Sequence, residues 1–187
     1  MFLFCVTAAL SPPHRLSLEH EADRWPAVNE RGDILLRDKE APYTLRLYRQ
    51  QQDGFTEVWS KRPPGDERYY NKAISLQSVF VQEEEDADTI QLNIDNPQQQ
   101  LTTLHHRGIL IGCTGECPVY TRKDDRRYII SIQRDEGELL LRPSQGATWS
   151  YVDMSICRTN KYFMVTSSSD RSLDIFTDRG KYYCHCN

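Results

Sequence analysis

Val79-Phe80-Val81, followed after a polar stretch by Thr89-Ile90-Gln91-Leu92, decides the reading of this chain, because the pair of runs occurs three times without a gap. The other copies are Ile34-Leu35-Leu36 with Thr44-Leu45-Arg46-Leu47, and Tyr162-Phe163-Met164 with Ser172-Leu173-Asp174-Ile175. The offsets are 45 residues (44 to 89) and 83 (89 to 172), so one further unit is expected between the second and third copies. In each copy the first run is apolar without a break, which implies burial on both faces. The second run alternates, as a half-buried strand does, with Leu45 and Leu47, or Ile90 and Leu92, or Leu173 and Ile175 expected to share one face of their strand.

Short strands complete each unit. Ala73-Ile74-Ser75-Leu76 and Met154-Ser155-Ile156-Cys157 precede the apolar runs, and Phe55-Thr56-Glu57-Val58-Trp59, Leu101-Thr102-Thr103-Leu104 and Lys181-Tyr182-Tyr183-Cys184 follow turn signals such as Asp95-Asn96-Pro97 and Asp178-Arg179-Gly180. Four strands per unit at a period of about 40–45 residues are the arithmetic of a β-propeller blade. The expected fold is therefore all-β, a β-propeller of about four to five blades. The units fall at residues 1–28 (partial), 29–65, 66–105, 106–145 and 146–187. So short an array is either a small ring closed irregularly or a piece of a larger propeller.

The intermediate unit is read with an irregularity. Ile109-Leu110-Ile111 is taken as its apolar run and Tyr128-Ile129-Ile130-Ser131-Ile132 as its alternating run. An insertion from Gly112 to Arg127 separates them and is expected to form a small hairpin around Cys117-Pro118-Val119-Tyr120.

The totals bound the function. The 187 residues carry 39% hydrophobic and 27% charged residues with a net charge of −4, which argues against a broadly basic, phosphate-binding surface. A local basic patch at Arg122, Lys123, Arg126 and Arg127 is interrupted by Asp124 and Asp125 and reads as a solvated turn. No apolar run approaches the ~20 residues of a membrane-spanning helix. Met1 to Leu10 is apolar like the middle of a signal peptide, but lacks preceding basic residues. Phe4-Cys5-Val6-Thr7 and Arg15-Leu16-Ser17-Leu18 instead align with the runs of the last unit, so a partial blade is preferred. The six cysteines fall mostly inside apolar runs, so a cytoplasmic protein with free thiols is expected, a secreted one being the alternative.

The copy from Tyr162 to Tyr182 resembles a repeat of the NHL family and, more distantly, a WD40 blade, although the Trp-Asp pair of WD40 blades is absent. The likeness covers about 21 residues. It implies a recognition platform that binds protein or structured RNA. No zinc pattern of a ubiquitin ligase precedes the repeats.

Candidate chemistry is sparse. Cys113 and Cys117 with Cys184, His185 and Cys186, helped by His105 and His106, form the best candidate zinc set, but their spacing fits no known finger. The carboxylates Glu83, Glu84, Glu85, Asp86 and Asp88 suit a solvated turn better than a calcium loop, since no glycine marks a tight bend. Trp25, Trp59, Trp149, Tyr69 and Tyr70 read as wedges between blades, or as binding anchors where exposed. No catalytic, cofactor-binding or metal-ligating residue is assigned, and no cofactor is expected.

The expected role is a non-catalytic protein-binding scaffold. Its binding face would be built from the connections near residues 62–67, 112–127 and 142–150. A calcium-dependent lactonase-like hydrolase, which would need residues such as Asn93 and Asp174 in the tunnel, and an RNA-binding NHL module are the alternatives. A protein is the expected partner and RNA the second choice; no membrane is expected, and self-association could use open blade edges.

Overall fold

The computed structural model describes residues 21–22, 26–52, 54–62, 71–125, 127–143, 149, 154–159, 161–167 and 172–186. Sixteen strands lie among them, and the partial unit expected over residues 1–28 falls almost wholly outside them. The first sheet holds β1 (Ala27–Val28), β2 (Ile34–Arg37), β3 (Leu45–Gln51) and β4 (Gly54–Lys61). The second holds β5 (Asn71–Ile74), β6 (Ser78–Gln82), β7 (Thr89–Asn93) and β8 (Gln100–Leu104). The third holds β9 (Ile109–Thr114), β10 (Cys117–Asp124), β11 (Arg127–Arg134) and β12 (Gly137–Leu141). The fourth holds β13 (Met154–Arg158), β14 (Tyr162–Ser167), β15 (Ser172–Thr177) and β16 (Tyr182–Cys186).

Each sheet is an antiparallel meander whose strands keep chain order. The first strands neighbour one another in sequence: β1 touches β5, β5 touches β9 and β9 touches β13. Sheets that meet through their first strands and stack face to face are propeller blades, so the all-β propeller expected from the repeat is what forms.

The third blade corrects the sequence reading. Ile109 to Ile111 belong to the first strand of that blade, and Val119 and Tyr120, placed above in an insertion, lie on the second, paired with Ile132 and Ser131. A tight turn at Gly115 and Glu116 joins the two. The blade therefore has the ordinary four strands and no insertion. The apolar run was assigned to the wrong strand because both strands are apolar here, and periodicity cannot rank them.

Within each strand the alternating pair shares a face as expected, but the face differs from blade to blade. In the first blade Leu35 pairs with Leu47, and these two with Leu45 pack on Val79, Val81 and Leu92 of the second. In the fourth blade Phe163 pairs with Phe176 and Met164 with Ile175, and it is Phe163, Val165 and Phe176 that pack on Val119, Ile130 and Ile132 of the third. So Leu45 and Leu47 point toward the following blade, Ile90 and Leu92 back toward the preceding one, and Leu173 and Ile175 away from the third blade. A one-residue slip moves a whole strand pattern to the other face, and gapless alignment of sequence does not detect it.

Burial follows position in the array. Val79, Phe80 and Val81 are fully buried because the second blade has neighbours on both faces, with Phe80 and Ala73 meeting Leu110 and Tyr120 of the third. The turns between first and second strands recur as a local device. Asn29 Oδ1 accepts from the amides of Arg31 and Asp33, Ser75 Oγ from those of Gln77 and Ser78, and Thr159 Oγ1 from those of Lys161 and Tyr162. A short polar side chain at the end of the inner strand thus folds the chain back by satisfying amides that the ladder leaves open.

The facing of the fourth blade predicts unequal costs for two large-to-small substitutions. Phe163→Ala should destabilise the fold by about 3–5 kcal/mol, and Leu173→Ala by under about 1.5 kcal/mol because its side chain is only partly buried. Urea denaturation midpoints measure both, and equal losses would contradict the register.

Candidate functional site

Alternating connections place the turns between second and third strands, and the links from one blade to the next, on one face of the propeller. On that face, beside the first blade, lies a cleft of about 460 Å³. Its walls are the turn carrying Asp38, Glu40, Pro42 and Thr44, the strand residue Arg46, the preceding segment at Glu21, and Arg62 at the end of the outer strand.

Local bonding fixes the walls. The backbone of Ala22 bridges to Asp38, and the Lys39 amide donates to the Glu21 carbonyl at 2.8 Å. Arg46 grips Asp38 through two parallel bonds, Nε to Oδ1 at 2.9 Å and Nη2 to Oδ2 at 3.1 Å, and reaches Glu57 Oε2 with Nη1 at 3.1 Å. This fork geometry is the strong form of an ion pair, and Asp38, then Glu57, hold the guanidinium charged well above its ordinary range. Tyr48 beside it has its phenol pushed up, by burial first and by the Glu57 charge second.

Glu21 pairs with Lys39 at 2.9 Å, an exposed contact of little energetic weight. Among the described residues Glu40 and Arg62 carry no ion pair. The cleft therefore presents one open carboxylate and one open guanidinium, with Arg46 already saturated.

The opposite face is closed by hydrogen bonds that run from blade to blade. Fully buried Asp33 accepts from Arg31 Nε and Arg49 Nε, each at 3.1 Å, and Arg49 Nη2 reaches Asp95 of the second blade at 3.1 Å. Asn29 Nδ2 donates to the Ser75 carbonyl at 2.9 Å, and Ser75 Oγ donates to Glu116 Oε2 of the third blade at 2.7 Å. Arg134 Nη2 of the third blade donates to the Asp178 carbonyl of the fourth at 2.7 Å. These residues hold neighbouring turns in place.

One cluster has the composition of a catalytic triad without its geometry. Ser131 Oγ lies 2.9 Å from His106 Nε2 and 2.6 Å from Glu138 Oε1, while His106 Nε2 is also 3.1 Å from Glu138 Oε1. The acid and the hydroxyl meet the same ring nitrogen, and Nδ1 faces the Arg107 carbonyl at 2.7 Å. No relay runs through the ring, and Ser131 is fully buried. The imidazole stacks on Tyr120 at 4.1 Å between centroids. The set fastens the link between the second and third blades. Trp149, Asp174 and His185 do the same in the fourth, with Trp149 Nε1 and His185 Nδ1 at 2.9 and 2.8 Å from the buried Asp174 carboxylate.

The residues named from sequence are dispersed. Cys113 and Cys117 sit on the first two strands of the third blade, and Cys184 and Cys186 on the outer strand of the fourth. Among the described residues no three His, Cys, Asp or Glu side chains are grouped to hold a metal. Asn93 caps its own turn through the amides of Asp95 and Asn96, and Asp174 is occupied as above, so both side chains are engaged within the fold. In the acidic turn Asp86 Oδ1 accepts from the Gly108 amide at 2.6 Å and Asp88 meets His105 at 2.7 Å. Within the expected basic patch Arg122 pairs with Glu138, and Asp124 with Arg142. Trp59 donates to the Ile94 carbonyl and Trp149 is buried between blades; Trp25, Tyr69 and Tyr70 lie outside the described residues. Of the expected binding face, Arg62 lines the cleft, whereas residues 112–114 and 117–124 are strand; residues 63–67, 126, 144–148 and 150 lie outside the described residues. Glu40 could have been found from its place in a charged turn, but nothing in the sequence tells it from Glu83 or Glu84.

No family model matches the chain, and no curated protein does. Among solved structures, that of Myxococcus xanthus glutaminyl cyclase superposes with a TM-score of 0.52 at 12% identity, covering 86% of this chain and 68% of that one. This likeness supports the propeller fold. It corrects the expectation of a non-catalytic scaffold, because the fold is shared with an enzyme. Repeated apolar runs report how blades stack, and stacking is the same whether or not the loops carry a catalytic group. Among the described residues no helix is long and apolar enough to cross a membrane.

Thiol reactivity offers a check on the geometry. Burial, then the Glu116 charge, pushes the Cys113 thiol up to about 12, and its Sγ donates to the Ile74 carbonyl at 3.0 Å, whereas Cys186 is exposed. Alkylation at pH 8 followed by peptide mass analysis should label Cys186 at least about tenfold faster than Cys113.

Proposed function

We propose that this chain handles a small ligand bearing a free amine beside a carbonyl or carboxylate, the amino end of a peptide being the simplest case, in the cleft of the first blade. The observation that carries this reading is the pair of open, oppositely charged groups, Glu40 and Arg62, on the walls of one cleft. Glu40, outside any ion pair, suits an ammonium group, and Arg62 suits the oxygen. A volume of about 460 Å³ falls within the range of small-molecule sites. The fold shared with a glutaminyl cyclase makes peptides that begin with glutamine the first ligands to try. The NHL-like pattern of residues 162–182 supports the same placement of function on a loop-bearing face. The free thiols of the four described cysteines support a reducing, cytoplasmic setting.

Calorimetric titration with glutaminyl-alanine and with its N-acetylated form tests the reading. The free amine should bind and the acetylated peptide should not, and Arg62→Ala or Glu40→Gln should each weaken binding by about tenfold or more. Equal affinity for the two peptides, or variants that bind like the parent, would refute it. Ammonia release in the same samples reports whether the bound peptide is turned over.

A further inference from the structure

We infer that His106 closes the seam between the second and third blades as an imidazolium, donating a hydrogen from each ring nitrogen, so that the seam is fastened by a proton. His106 lies on the link that joins β8 to β9, and its side chain is 7% exposed. The same link supplies the Gly108 carbonyl that Gln82 of the second blade bonds at 2.8 Å, so a loosened ring would loosen that tie as well.

A count of hydrogens carries the inference. Nδ1 lies 2.7 Å from the Arg107 carbonyl oxygen, which only accepts, so Nδ1 bears a hydrogen. Nε2 lies 2.9 Å from Ser131 Oγ and 3.1 Å from Glu138 Oε1, and those two oxygens are 2.6 Å apart. This triangle has one serine hydrogen to share. If the hydroxyl gave it to Nε2, two bare oxygens would meet at 2.6 Å, because the carboxylate, paired with Arg122 Nη1 at 3.2 Å, carries no hydrogen. Given instead to Oε1, it makes the short bond expected of a hydroxyl on a carboxylate, and both oxygens then offer only lone pairs to Nε2. Nε2 must donate, and the ring carries two hydrogens.

The surroundings suit a cation. The ring lies on the face of Tyr120 from β10, at 4.1 Å between centroids and 11° between planes, where the aromatic quadrupole attracts positive charge. Glu138 from β12 is the carboxylate that faces it. Arg122 from β10 opposes the charge, but its two terminal nitrogens are held on Glu138 at 3.2 and 3.5 Å. On the link itself Arg107 is exposed, and Asp88 from the neighbouring turn is engaged by His105. Loss of the proton would set the Nε2 lone pair against two oxygens in a place nearly closed to water, and unmade bonds there are costly.

In the unfolded chain an imidazole is mostly neutral above about pH 6.5, so folding takes up a proton there and the fold weakens as pH rises. Nitrogen-15 spectra of the histidine-labelled full chain at about pH 7.5 should show both ring nitrogens of His106 protonated, identified by their loss in His106→Gln, and Glu138→Gln should leave the ring with a single hydrogen. In urea denaturation the parent's folding equilibrium constant should fall, relative to that of His106→Gln, by up to about tenfold per pH unit above that point. A bare ring nitrogen on His106 in the parent, a ring unchanged by Glu138→Gln, or the same pH dependence in parent and His106→Gln would overturn the inference.

Discussion

A sheet that is apolar on both faces can be buried only between two other sheets, and that constraint organises this molecule. Val79, Phe80 and Val81 are successive residues that point alternately to opposite faces, yet all three are excluded from water. At roughly 25 cal/mol per Å² of apolar surface, leaving either face open would forfeit several kcal/mol, so the second blade requires the first and the third. The third has the same need, with Tyr120 directed to the second blade and Val119, Ile130 and Ile132 to the fourth. Blades packed in chain order, each on the next, are the outcome.

Apolar faces alone would let blades slide, and polar side chains fix their rotation. Gln82 is the clearest case. Its buried amide donates to the Ala87 and Gly108 carbonyls at 3.0 and 2.8 Å and accepts from the Leu110 amide at 2.8 Å, tying the turn of the second blade to the first strand of the third. Gly108 can serve there because its φ of +111° is accessible to glycine, and a Cβ would lie 2.5 Å from the Thr121 carbonyl oxygen. Such bonds are directional, and each would leave a desolvated amide or carbonyl unsatisfied if the blades turned.

The sequence was informative where side chains obey a local rule and uninformative where a partner decides. Apolar runs and turn residues placed most strands, because two-face burial and reversal of the chain each need particular residue types. Facing was not legible. Leu173 and Ile175 alternate as Ile90 and Leu92 do, yet one pair faces away from the preceding blade and the other toward it, and only the packing of Phe163, Val165 and Phe176 on the third blade settles this. In the third blade two adjacent apolar strands made the assignment ambiguous. The cleft was hidden for a related reason: Glu40 and Arg62 are neighbours because of how β3 and β4 pair, while Ser131, His106 and Glu138 resemble catalytic groups and prove to be fasteners.

Polar groups in this fold thus divide by whether their bonds are complete. Asp33, Gln82, Ser131 and Asp174 are buried and engaged with two or more partners, so their binding capacity is consumed in holding blades together. A ligand that competed for them would have to break the array. Groups free to meet a ligand must lie where no neighbouring blade claims them, and the rims meet this condition. The cleft beside the first blade is such a place, with Glu40 and Arg62 outside every ion pair among the described residues.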